Sequence, residues 1–255
     1  MDLTLEELAW IVASGAATAV GGLGLLVLRR PSERALDVLM AFTAGIMLAA
    51  TMFSLLVPAL DLGGVGEVVA GLLAGAACLA ALDRLVPHLH ARLVERGRTG
   101  LVRRDADPAA QRRGLLLLIA MAIHNVPEGM AVGLAFAAGG TELGIPIALA
   151  IGIQNIPEGF AAAAPLLDGG ASRRQAFAFA AATGAFEPPA AIGAIAVAAV
   201  VAVLLPAGLA FAAGAMLYVV IDELVPEAHA GSDRAATLAL IVGFALMMTL
   251  DTTLG

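Results

Sequence analysis

The 255 residues predict an all-α polytopic membrane protein with eight transmembrane helices, and three observations carry that prediction. Hydrophobic residues make up 60% of the chain, charged residues only 14%, and mean hydropathy is +0.94, far from the balance of an ordinary water-soluble domain. The apolar residues fall in runs of about 20, enough for a helix to cross a hydrocarbon core about 30 Å thick. The runs are continuous instead of alternating at period two, which argues against a β-barrel and leaves helices as the way to satisfy the backbone in lipid.

Read in order, the spans are 8–28, 36–58, 66–87, 114–137, 144–167, 175–203, 207–228 and 235–254, forming one transmembrane domain over 1–255. Span 1 follows MDLTLEE, which carries three acids and no basic residue, so it reads as a retained helix and not as a cleaved signal. In span 3, Cys78 is the single cysteine. It excludes an intramolecular disulfide and a Cys-rich zinc site, and reads as a small buried apolar side chain. Between spans 3 and 4, about 88–113, lies a basic cytoplasmic loop. It has an HxH pair, His88 and His90, that reads as interfacial with metal binding as the alternative. The 29 glycines and abundant alanine predict close helix packing.

All 14 basic residues are arginine, and they segregate. They follow span 1 or lie between spans 3 and 4, 5 and 6, and 7 and 8, whereas the opposite loops near 60–65, 138–143 and 204–206 have none. The positive-inside rule makes the arginine side cytoplasmic and puts both termini outside, in a cell inner (plasma) membrane. The net charge of −7 says little about partners, because the acids are divided between outer loops and the membrane interior. Nucleic acid is excluded as a partner; the lipid bilayer is the obligatory one.

Spans 4 and 5 contain near-copies of one phrase, HNVPEG at 124–129 and QNIPEG at 154–159, within AMAIHNVPEGMAVG and AIGIQNIPEGFAAA. His124 and Glu128 are four residues apart and share a helix face, with Asn125 adjoining; Gln154, Asn155 and Glu158 repeat the arrangement. Glu187 stands midway along span 6 before Pro188 and Pro189. Carboxylates at that depth are costly unless protons or cations compensate them, and such residues mark ion pathways. Pro127 and Pro157 free the carbonyls of Ile123 and Ile153, the proline pair frees those of Gly184 and Ala185, and Gly129 and Gly159 leave room for close approach. Imidazole nitrogen with carboxylate and amide oxygen suits zinc, iron(II), manganese, cobalt or cadmium better than copper(I).

Over essentially its whole length the chain resembles the ZIP (Zrt/Irt-like) family of divalent metal transporters, and Gln154 resembles its GufA-like branch. The resemblance implies a ZIP-type bundle moving divalent cations, zinc foremost, into the cytoplasm through a two-metal centre on spans 4 and 5, with no organic cofactor. The first site would use His124, Glu128, Gln154, Glu158 and a sulfur, matched to Met47 with Met52 as the alternative. The second would use Asn125, Asn155 and Glu187 and share Glu128 and Glu158. Some relatives have aspartate where Asn155 stands, so this neutral amide weakens the second site. Asp61 and Asp251 match an entrance, and Asp222, Glu223, Glu227 and His229 an exit, with an interfacial acidic cap as the alternative. The resemblance also implies that spans 1, 4, 5 and 6 move as a unit without ATP, and a homodimer is compatible with it. Two rivals remain open: a proton or sodium translocator using the glutamates, and an intramembrane metallohydrolase, for which one midplane histidine is few.

Overall fold

A computed structural model describes residues 3–27, 32–95, 108–168, 171–200, 202–229 and 234–254, and these are helical apart from short joints. Side chains of 85–95 and 108–122, with those of 27, 162, 165, 168, 202, 227 and 254, are outside the described set. Among the described residues seven helices are long and apolar enough to cross a membrane.

The first helix, α1 (Leu5–Val27), opens on a reciprocal cap. Thr4 N donates to Glu7 Oε2 at 2.8 Å while Glu7 N donates to Thr4 Oγ1 at 3.2 Å, satisfying end groups that would otherwise lack partners. Ser32 caps α2 (Glu33–Ala49), which runs on through a π-helical segment, Ala50–Leu56, into α3 (Val57–Leu62). A second π-helical segment, Val220–Leu224, joins α8 (Leu205–Val219) to α9 (Val225–Ala228). Both segments end in Leu-Val-Pro, Leu56 to Pro58 and Leu224 to Pro226. Proline lacks the N–H and crowds the carbonyl four residues back, and the wider π turn accommodates it.

Helix α4 (Val65–Glu95) and the start of α5 (Pro108–Asp168) extend into the segment read from sequence as loop. Arginine, leucine and alanine keep a helix going past the apolar stretch. His88 and His90 therefore sit on helical backbone, with side chains outside the described residues. Cys78 corrects the sequence reading: it is exposed. Helix α4 buries a narrow stripe, Gly71, Gly75 and Leu79, against α8, and Cys78 lies off it.

Within α5 the backbone breaks at Gly139 (φ −138°, ψ 16°) and Gly140 (φ +58°, ψ −140°). The second is a left-handed conformation that glycine adopts freely. Glu128 and Gln154, which a straight helix would hold about 39 Å apart, are hydrogen-bonded, so the two arms fold back side by side. Pro127 and Pro157 leave both arms helical, since only the two glycines depart from helical angles. The proline pair does interrupt the chain: α6 (Arg173–Gly184) stops, Ala185 and Phe186 turn, and α7 (Glu187–Val200) starts on Glu187. Prolines fit there because the first turn's N–H groups have no helical acceptor. The last helix is α10 (Arg234–Leu254).

Packing is closest within two sets. Helix α1 lies against α5 and α6, and α5 against α7; α2 lies against α10, and α4 against α8. Glycines let these backbones touch. A Cβ at Gly21 would stand 1.9 Å from the Ile156 carbonyl oxygen, at Gly45 2.0 Å from that of Leu240, and at Gly75 1.9 Å from that of Phe211.

Candidate metal centre

Seven of the predicted polar residues come together in the interior: His124, Asn125, Glu128, Gln154, Asn155, Glu158 and Glu187 are each at most 4% exposed. The two arms of α5 supply six and the first turn of α7 the seventh. The glycine of each signature is where a third helix crosses. A Cβ on Gly129 would lie 2.3 Å from the Glu187 carbonyl oxygen, and one on Gly159 1.9 Å from that of Thr18 on α1. Alanine at either place would push α7 or α1 away from the polar cluster. Val126 and Ile156, between the polar residues, point outward and are exposed.

The hydrogen bonds divide the cluster. Gln154 Nε2 donates to Glu128 Oε1 at 2.6 Å. Asn155 Nδ2 donates to Glu187 Oε1 at 2.7 Å and to the Ser14 carbonyl at 2.9 Å, and Ser14 Oγ donates to Glu187 Oε2 at 3.2 Å. His124 Nε2 lies 2.9 Å from Glu223 Oε1 on the π-helical turn after α8, which ties the first arm to the other helix set. Left over are buried acceptors with no donor: Glu128 Oε2, both oxygens of Glu158, Gln154 Oε1 and Asn155 Oδ1. Buried polar atoms are normally paired, and a group of bare oxygens in an apolar core creates a negative potential that a cation relieves. Among the described residues no three His, Cys, Asp or Glu side chains form a ready metal cage. Amides are interleaved with the acids, so a cation here would be shared with Gln154 and the asparagines.

Met47 is buried in the main core and Met52 is exposed. Asp251 accepts a hydrogen bond from Ser54 on the first π segment, while Asp61 is exposed at the end of α3. Among the predicted exit residues, Glu223 lies against His124, whereas Asp222 is exposed and accepts from Tyr218 Oη at 3.3 Å. His229 contacts the Val225 carbonyl and Thr237 Oγ1, at 2.9 and 3.2 Å, across the joint to α10. The Glu227 side chain lies outside the described residues. Ser14 is a contributor that the sequence reading lacked. Its only signal is a hydroxyl four residues before Thr18 on an otherwise small and apolar helix.

Apolar helices of spanning length around a buried cluster of acids, amides and one imidazole define a multi-pass membrane transporter for cations. The ZIP Zinc transporter family matches residues 102–251. The chain is 41% identical over 260 residues to the zinc transporter GufA of Myxococcus xanthus, with 97% of this chain and 99% of the relative covered. It is 40% identical over 260 residues to the zinc transporter ZIPB of Bordetella bronchiseptica, covering 95% of this chain and 79% of the relative. With the zinc transporter ZIP11 of Homo sapiens, identity is 35% over 322 residues, covering 93% and 94%. The chain belongs to the ZIP family of divalent metal transporters, and it is not an enzyme.

Proposed function

We propose that this chain carries divalent transition-metal ions, zinc foremost and iron, manganese, cadmium or cobalt besides, into the cytoplasm across the cell membrane. The supporting observation is the set of five buried oxygens without donors on Glu128, Gln154, Asn155 and Glu158, the residues that the twin signatures repeat. His124 and Met47 complete a first site with borderline ligands; Asn125, Asn155 and Glu187 mark the position of a second, which the neutral amide at 155 weakens. In this reading α5 makes two crossings at the Gly139–Gly140 fold, giving eight spans, and the arginine side faces the cytoplasm with both termini outside. Helices α1, α5, α6 and α7, joined backbone to backbone at their glycines, move as one body against α2, α4, α8 and α10. Asp61 and Asp251 serve the outer mouth. Glu223 receives the ion from His124 toward Asp222, Glu227 and His229. A homodimer is the proposed assembly.

The test is uptake of zinc, cadmium, manganese and iron(II) by proteoliposomes containing the wild type, Glu128→Ala or His124→Ala. Metal flux in the wild type that collapses in both variants is expected. Unchanged flux in both would remove the site assignment, and glutamate-dependent proton flux without metal flux would favour the proton translocator.

A further inference from the structure

The two halves of the centre are not in the same state. Around Glu128 and Glu158 most oxygens lack a donor, whereas both oxygens of Glu187 face one: Asn155 Nδ2 at 2.7 Å, and at 3.2 Å the Ser14 hydroxyl, whose other acceptor, the Ile11 carbonyl, is farther at 3.4 Å. The Asn155 nitrogen also donates to the Ser14 carbonyl, so Ser14 grips both partners, and all three residues are at most 2% exposed. Helix α1 is held in register for this task. Gly15 abuts the Gly184 carbonyl beside Pro188, and Thr18 and Ile156 meet Gly159 and Gly21 backbone to backbone.

Two neutral donors satisfy both oxygens of the carboxylate and so lessen its demand for a cation. The amide face turned to Glu187 is the N–H face, which repels a cation, so a second ion between Asn155 and Glu187 requires the amide to rotate and release the Ser14 carbonyl. Resting on the transporter reading above, we propose that Ser14 is a positioning residue. With Asn155 it holds Glu187 in a closed clasp that replaces a second cation, and the chain loads one ion, on the Glu128–Glu158 side.

The experiment uses the full-length purified protein equilibrated with zinc, with bound metal measured by elemental analysis and flux measured in proteoliposomes. The wild type is expected to retain one equivalent and Ser14→Ala two, because one oxygen of Glu187 is released. Ser14→Thr, which restores the hydroxyl, should return to one, and so should Ser14→Ala combined with Glu187→Gln. A purely structural serine would lower stability without raising stoichiometry. Two equivalents in the wild type, one in Ser14→Ala, or a second ion that survives Glu187→Gln would each overturn the clasp while leaving a zinc-transporting wild type intact. A wild type that neither binds nor moves zinc would overturn the transporter reading itself.

Discussion

Asn155→Asp tests the division of the centre most sharply. The amide nitrogen donates at 2.7 Å to Glu187 and at 2.9 Å to the Ser14 carbonyl. An aspartate removes both donors and sets an oxygen against two acceptors at those separations. A neutral hydrogen bond contributes about 1 kcal/mol and one to a charged group about 1.5 to 3, so the metal-free variant should lose roughly 2.5 to 4 kcal/mol. By the usual scaling of melting temperature for a chain of this length, that is a fall of about 10 °C. A cation between Asp at 155 and Glu187 replaces the missing donors. Free zinc at a hundredfold excess over its dissociation constant adds about 2.7 kcal/mol for one further site. The assay is thermal survival of the solubilised protein with chelator and with zinc, read by size-exclusion chromatography. The chelated variant should melt well below wild type, and zinc should narrow the gap while raising bound metal by one equivalent. If the chelated variant melts with the wild type, or zinc raises both equally, the hydrogen-bonded pairing of Asn155 with Glu187 is refuted.

Glu223→Ala leaves His124 without its carboxylate partner, and loss of such a partner to a metal-binding histidine typically costs tenfold or more in affinity or activity; zinc flux should fall by about that factor. Flux equal to wild type would detach Glu223 from the pathway. Gly159→Ala should cost at least about 1 to 3 kcal/mol through overpacking, since its Cβ would stand 1.9 Å from the Thr18 carbonyl oxygen, whereas Gly193→Ala meets nothing within 4 Å and should behave as wild type. The yield of monodisperse protein separates the two. Cys78, exposed on α4, has no packed neighbour to displace, so Cys78→Leu should leave the yield of monodisperse protein unchanged, and a loss of yield would contradict its placement.

The helical spans and the acids' burial were legible because each follows from one residue's own chemistry. An apolar run must be in lipid, and Glu128, Glu158 and Glu187 must be away from it. What pairs with what was not, because pairing depends on how neighbouring helices are rotated and on their register. Glu223 reads in sequence as one acid of the DELVPEAH run, and it lies on a π-helical turn within 2.9 Å of His124. Cys78 was misread for the same reason: apolar character in a span says nothing about whether a face meets protein or lipid. The twin signatures make the case most clearly. Their sequences are nearly alike, yet Gly129 admits the backbone of α7 and Gly159 that of α1. Helix α7 brings a carboxylate, Glu187, while α1 brings the carbonyl and hydroxyl of Ser14. The inequality of the two copies therefore has two sources. One is visible in the sequence, imidazole against amide at 124 and 154. The other lies in the neighbour each glycine receives, and it sets the Asn155 amide nitrogen between Glu187 and the Ser14 carbonyl.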